Sequence, residues 1–492
     1  MRAAGWAICD GAQLAIKQFP ELFAAIGFSN GGDGRSTFHL PDCRGYFLRG
    51  VDPLGVVDPD TKSRTAPRSG GAAGSQAGSV QSFGTGLPRV PFQISIPNVP
   101  SGSHHAYYGT ETSMLRSCSA RSFGSTQGGD DETRPINAYV NFIIKLIAEA
   151  PIPTGAVVAF AGSDALGSAN LMSRFRLCDG ALLPKQTHAI LFEAIGSAHG
   201  GTRSDFNLPD YRGRFLRGVD SGAKRDPDAA KREAMAQEGA TGDATGTVQS
   251  YATAKPKSAF DFVIELGTDN KTCDYCAGYT NAEWNGGSVD ISLTGFGGDH
   301  ETRPVNASVD HYMLCDRDPN DADVFPIGGV MAFPGNAKPD PGQWLLCNGS
   351  RLPISPQFAE LYAAIGCSNG GDSEQMFNIP NYQGLFLRGT DHGQKRDPDA
   401  KARLPASAGG NVGDQVGSVQ GYATARPING DIRASVTHLP VGHMDCCAAF
   451  STSQVAAWGG SQTVQLTGGD AESRPINIYM FFYIKYALAC QG

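Results

Sequence analysis

Apolar residues in this chain come in short clusters, punctuated by glycine and proline, and the period of the clusters changes in a fixed order. Phe19, Leu22, Phe23 and Ile26 stand at i, i+3, i+4 and i+7, the single apolar stripe of a short helix. Phe358, Leu361, Tyr362 and Ile365 repeat it, as do Leu191, Phe192 and Ile195, where His188 takes the first place as a half-exposed packing residue. Gly27, Gly196 and Gly366 follow at once, where a helix wants a left-handed terminator. Elsewhere the period drops to two. Val140, Phe142 and Ile144 alternate, as do Met480, Phe482 and Ile484, which predicts half-buried or central strands. PTGAVVAFAG (Pro153–Gly162) and PIGGVMAFPG (Pro326–Gly335) are further strand-like runs bounded by proline and glycine.

These clusters belong to an internal repeat. Cys9, Cys178 and Cys347 recur at intervals of 169 residues, each between an apolar pair and Asp-Gly or Asn-Gly. FHLPDCRGYFLRGVD (Phe38–Asp52), FNLPDYRGRFLRGVD (Phe206–Asp220) and FNIPNYQGLFLRGTD (Phe377–Asp391) come next, then Gly-Ser/Thr-Val-Gln at Gly78, Gly246 and Gly417. GGDDETRPIN (Gly128–Asn137), GGDHETRPVN (Gly297–Asn306) and GGDAESRPIN (Gly468–Asn477) close each copy. The repeats are assigned to residues 1–149, 150–323 and 324–492, joined by linkers too short for independent beads, so the copies are expected to pack together.

Two differences among the copies are informative. Copies two and three open with the strand-like run, whereas copy one enters directly at the Trp6 block. Its sheet is therefore expected to have an open edge, truncated or filled by a strand from another protein. Copy two also places His311, beside Asp310, where the others have Phe142 and Phe482. That pair marks either a site or, as the favoured reading, a satisfied histidine at an interdomain surface.

Composition narrows the class. A chain of 492 residues suits about three domains, and its 63 glycines and 30 prolines make it turn-rich without making it disordered. A net charge of −8 gives no global field for nucleic acid or anionic membrane. No run approaches the length of a transmembrane helix, and MRAAGWAICDG does not read as a signal peptide. The three recurrent cysteines read as small buried hydrophobes, and the remaining cysteines are scattered, which fits folding in a reducing cytosol.

Comparison between copies also disposes of most candidate chemistry. Asp299-His300-Glu301 resembles a catalytic or metal cluster, but its place holds Asp130-Asp131-Glu132 and Asp470-Ala471-Glu472 in the other copies. What repeats is Gly-Gly-Asp-x-Glu-Ser/Thr-Arg-Pro, read as a structural turn in which carboxylates pair with Arg134, Arg303 and Arg474. Arg49, Arg217 and Arg388 stand three residues before Asp52, Asp220 and Asp391, which suggests buried or interface ion pairs. Cys273 and Cys276 form a lone CxxC; His104, His105, His438, His443, Cys446 and Cys447 would complete a zinc site only by proximity, so no metal or other cofactor is expected. No nucleophile with its base is evident, and no enzymatic activity is expected.

The copies diverge at Ser101–Ser122, Asp269–Ser288 and Val441–Gly460, which carry Tyr107, Tyr108, Tyr275, Tyr279, Trp284 and Trp458 among small polar residues. Such segments suit stacking on sugars or a protein surface; they equally suit solvated loop tips or contacts between copies.

The blocks P-x-G-x-V-x-A-F, W-L-L-C-N-G, L-x-x-A-I-G, F-N-L-P-D-x-R-G-x-F-L-R-G and R-P-x-N resemble the phage tail-collar family, with a departure at Gln383, where the other copies have Arg44 and Arg212. The resemblance implies compact α+β domains, strand- and loop-rich with one short helix each, on tail fibres or baseplate appendages. Such fibres are usually trimers of a chain with one domain, so three copies in one chain are expected to form an intramolecular pseudo-trimer. The function implied is that of a phage tail or injection-machine fibre or tail-tip protein, assembled in host cytoplasm and acting on the virion tail. It would bind a host glycan or protein through the variable segments and other tail or baseplate proteins elsewhere, with neither nucleic acid nor membrane insertion. A purely structural adaptor is the alternative and a glycan-degrading tail enzyme the third reading.

Overall fold

The computed structural model describes residues 5–58, 60–85, 94–99, 104–105, 121–124, 129–135, 137–140, 142–145, 152–161, 174–254, 260–264, 288–293, 302, 304, 306–315, 325–334, 342–372, 374–425, 433–437, 452–453, 458–462, 465–468, 473, 475 and 477–487. The predicted helices form as α1 (Pro20–Ile26), α2 (Ala189–Ile195) and α3 (Ala359–Ile365). Each ends on its predicted glycine, at φ of 54°, 58° and 51°. The accompanying ψ values of −141°, −147° and −140° lie outside the left-handed helical region, in a conformation that glycine alone adopts readily.

Each copy contributes a hub strand, Phe47–Gly50, Phe215–Gly218 or Phe386–Gly389. The three meet in a cycle: Arg217 lies opposite Phe47, Arg388 opposite Phe215, and Arg49 opposite Phe386. Each copy then hands its closing strand to the next. Asn137–Val140 runs parallel to Phe215–Gly218, Asn306–Val309 parallel to Phe386–Gly389, and Asn477–Met480 parallel to Phe47–Gly50. The cycle of one to two, two to three and three to one closes within a single chain, the pseudo-trimeric arrangement expected from three copies.

The further half of each closing strand returns to its own copy. Ile143–Lys145 pairs with Trp6–Ile8, Met313 and its neighbours with Phe175–Leu177, and Tyr483–Lys485 with Trp344–Leu346. Leading strands form at Val157–Phe160 and Gly329–Phe333 on the other side of the second and third closing strands. Among the described residues no such strand pairs with Ile143–Lys145. The core follows this asymmetry. Copies two and three share a large cluster built on Phe160, Tyr312, Ile365, Phe377 and Ile484, whereas copy one keeps a small one on Leu14, Leu22, Ile26 and Phe38.

One sequence expectation is corrected. The Gly-Gly-Asp-x-Glu-Thr-Arg block is a strand in copy one, Gly129–Arg134, rather than a turn. It pairs with Ala252–Ala254 of copy two, and the Thr133 hydroxyl accepts the Ala254 N–H at 3.1 Å. Inter-repeat backbone bonds thus override the local turn tendency of Gly-Gly-Asp.

The hub admits almost no side chain at its glycines. A Cβ on Gly50, Gly218 or Gly389 would sit 1.7, 2.0 or 2.0 Å from a carbonyl oxygen of a neighbouring copy, at Tyr382, Cys43 and Tyr211. Gly218→Ala is therefore expected to force the first and second copies apart and lower stability by about 3 kcal/mol or more, read as a drop in the thermal midpoint of the full chain.

Candidate functional site

The most heavily buried chemistry lies at the pseudo-threefold centre. Phe47, Phe215 and Phe386 pack together, and Arg49, Arg217 and Arg388 are fully buried around them. Each guanidinium lies over the phenylalanine of another copy at 5.1–5.2 Å: Arg49 over Phe386, Arg217 over Phe47, Arg388 over Phe215. Each Nε donates to a carbonyl of that same copy, at Gly384, Gly45 and Gly213 respectively, over 2.8–3.0 Å.

The expected pairing of each arginine with the aspartate three residues on is not the one formed. Arg49, Arg217 and Arg388 meet Asp58, Asp226 and Asp397 at 3.2–3.3 Å. Asp52, Asp220 and Asp391 instead accept backbone N–H bonds from the loop that follows, as Asp220 does from Lys224, Arg225 and Asp226. A carboxylate so close in sequence caps its own loop, and that loop carries the true partner inward.

Each buried aspartate also serves a second arginine: Arg64, Arg232 and Arg403 reach Asp58, Asp226 and Asp397 at 3.0–3.2 Å. Two cations and one anion leave an excess of positive charge, and polar groups around it supply the balance. Gln81, Gln249 and Gln420 accept from these second arginines at 2.6–2.7 Å. The closing strand of the preceding copy adds Asn477 to Arg64 and Asn306 to Arg403, both at 2.8 Å. Sequence reasoning missed this half of the site. Its signal is a recurring Asp-Pro-Asp-x-x-x-Arg, at Asp58–Arg64, Asp226–Arg232 and Asp397–Arg403.

At the rim, Arg225 of copy two donates to the Arg44 carbonyl and the Asp42 carboxylate of copy one, at 2.7 and 2.9 Å. Arg396 of copy three does the same to Arg212 and Asp210 of copy two, at 2.9 and 2.8 Å. Among the described residues the third junction has no such pair: Val57 takes the arginine's place and lies against Gly384, and Asn381 and Gln383 stand where the other copies have Asp42 with Arg44 and Asp210 with Arg212. With Asn381 in place of the aspartate, the arginine that pairs with it inside the other copies, Arg44 with Asp42 and Arg212 with Asp210, would have no carboxylate to meet, and Gln383 stands there instead. Burial opposes the ionised forms of Asp42 and Asp210, but the arginine bonds prevail and lower both carboxyls to about 2. Their contribution is complete above the ordinary aspartate range and is lost only as pH falls toward 2.

The recurrent cysteines are buried as expected. Hydrogen bonding with Cys43, and then burial, push the Cys9 thiol well above its usual range, so it remains a protonated packing group. His311 is buried with its ring edge-on to Tyr211 at 6.0 Å, and His188 is half-buried at the start of α2. Tyr107, Tyr108, Tyr275, Tyr279, Trp284, Arg303 and Arg474 lie outside the described residues, as do the CxxC pair and Asp299–Glu301. Trp458 opens the strand Trp458–Gln462 and Arg134 ends Gly129–Arg134; their side chains are outside the description. Among the described residues no group of three His, Cys, Asp or Glu is placed to hold a metal ion, and no helix is long and apolar enough to cross a membrane.

A cyclic strand exchange locked by buried arginines joins the three copies. The sequence profile described as "Phage Tail Collar Domain" matches this chain at three separate regions, residues 1–48, 155–216 and 328–387. The chain is also similar to Protein RhiB of Rhizobium leguminosarum bv. viciae, at 38% identity over 152 residues, 30% of this chain and 65% of that protein. The chain thus spans just under two thirds of that relative's length.

Two predictions follow from the geometry. Asp226→Ala would strand Arg217 and Arg232 without their shared carboxylate, at an expected cost of about 3–5 kcal/mol, measured by denaturant unfolding. Burial lowers His199, which stands where copies one and three have Asn30 and Asn369, to about 4. The unfolded chain then binds a proton more readily than the native one below pH 6.5, so stability falls as pH drops from that value through 4. His199→Asn is expected to flatten that part of a thermal-midpoint pH profile.

Proposed function

We propose that this protein is a fibre or tail-tip component of a phage or phage-tail-like injection machine, and that it attaches to a host glycan or protein through its variable segments. In this reading residues 1–149, 150–323 and 324–492 act as one rigid scaffold. The chain is assembled in host cytoplasm, acts on the outside of the particle, and performs no catalysis.

The supporting observation is the pairing of the strands that flank those segments. Ser288–Leu293 of copy two lies between Arg433–Thr437 of copy three and Ile94–Val99 of copy one, and the last pairs in turn with Trp458–Gln462. Arg121–Gly124, Phe260–Ile264 and Gln465–Gly468 form a second three-copy sheet. Strands from all three copies are thus braided where the divergent sequence begins. A rigid base carrying divergent, aromatic-rich segments is the arrangement recognition surfaces use.

The test is adhesion of the full chain to host cells and to a panel of surface glycans. Three sets of changes are compared: Tyr107→Ala with Tyr108→Ala; Tyr275→Ala with Tyr279→Ala and Trp284→Ala; and Trp458→Ala. Loss of an aromatic anchor is expected to weaken adhesion about tenfold or more with the thermal midpoint unchanged. Wild-type adhesion in all three sets, or no adhesion by the parent protein, would refute recognition through these residues and leave the structural adaptor.

A further inference from the structure

The three junctions of the ring differ at one further place, the residue that precedes each hub phenylalanine. It is Tyr46 in copy one, Arg214 in copy two and Leu385 in copy three. At the first junction Tyr46 is an aromatic support, and the Arg225 guanidinium lies over its ring at 4.4 Å. At the third, Leu385 stands with Val57, Asn381 and Gln383, none of them charged. The second junction thus puts a guanidinium where the others have an aromatic or an aliphatic side chain.

Nothing in the protein answers that charge. Arg214 is 8% exposed, and its Nε is buried without a hydrogen-bond partner. Among the described residues its guanidinium makes no hydrogen bond and no ion pair. Its backbone is fixed at the junction, where the Arg214 carbonyl accepts the Gly389 N–H of copy three at 2.9 Å. Burial first, and then the charge of Arg396, lower the Arg214 side chain to about 10, so it is still a cation at neutral pH.

The neighbouring carboxylates are already committed. Asp210 accepts from Arg212 at 2.9 and 3.1 Å and from Arg396 at 2.8 Å. Asp391 accepts the backbone N–H groups of Lys395, Arg396 and Asp397. The first junction has the same two carboxylates, Asp42 and Asp220, and the same two rim arginines, Arg44 and Arg225. The second therefore carries one positive charge more, with no added anion. A buried charge in that position is strongly unfavourable unless something neutralises it.

We propose that Arg214 anchors an anion site at the junction of copies two and three, which takes a small tetrahedral oxyanion of the phosphate or sulfate class. Nε–H and the adjacent terminal N–H lie along one edge of a guanidinium, spaced to meet two oxygens of one anion. Arg396 of copy three adds its charge from across the junction, so the bound ion ties the two copies together. With so little of Arg214 exposed, a free ion reaches it more readily than an acidic segment of another chain. The site does not depend on how the variable segments are used.

The test is calorimetric titration of sulfate into the full chain, with ionic strength held constant by chloride. One saturable site per chain is expected, together with a raised thermal midpoint and competition by inorganic phosphate. Arg214→Leu and Arg214→Tyr carry the residues that copies three and one have at this place, so the fold accommodates both. Each is expected to weaken sulfate binding about a hundredfold or more and to abolish the midpoint shift. Arg214→Lys keeps the charge without the paired edge and is expected to weaken binding about tenfold. In chloride alone, Arg214→Leu is expected to melt no lower than the parent, since it removes an unanswered charge. A parent protein without a saturable site overturns the proposal, as does sulfate binding that survives in Arg214→Leu or Arg214→Tyr. Unchanged affinity in Arg214→Lys overturns the oxyanion geometry.

Discussion

A guanidinium with no access to water must have each of its donors and both of its faces met by protein, or its burial is prohibitive. Arg49, Arg217 and Arg388 satisfy that condition only by drawing on two copies at once. The carboxylate comes from the arginine's own repeat, whereas the aromatic face and the carbonyl that binds Nε come from another. No single repeat can bury its arginine alone, so the hub and the ring form together or not at all. The exchanged closing strands extend the same logic, since Asn306 and Asn477 deliver amide oxygens into the next repeat's Arg–Asp cluster.

The three junctions are not equally made. Two carry a rim ion pair, Arg225 with Asp42 and Arg396 with Asp210, and the third has Val57 against Gly384, with Asn381 and Gln383 in place of the charged residues. The pairs are partly exposed, so their worth is modest and they act more on register than on stability. Three chains of identical sequence would have identical junctions. Joining the copies in one chain frees each junction to change by itself, and here one has lost its charges on both sides.

The same freedom accounts for the unevenness of copy one. Copy two builds its own cluster on Leu183, Leu191 and Phe206, and copy three's joins the leading and closing strands of copy two, whereas copy one keeps a small cluster on Leu14, Leu22, Ile26 and Phe38.

Much of this was legible in the residues. The 169-residue period, the three seven-residue helices, the closing strands and the leading strands of copies two and three follow from periodicity and self-comparison, because each is a local pattern written more than once. Self-comparison also marked Arg49, Arg217 and Arg388 as shared framework, but it assigned them the wrong carboxylates. Nearness in sequence favoured Asp52, Asp220 and Asp391, whereas the loop each of them caps swings Asp58, Asp226 and Asp397 onto the guanidinium. Which copy lends its phenylalanine to which arginine, and into which neighbour each closing strand passes, are contacts between residues in different repeats, such as Arg49 with Phe386 and Asn137 with Phe215. Local pattern carries no information about such distances. Only closure of the ring decided them, because only closure brings the face, the carbonyl and the carboxylate to one buried charge.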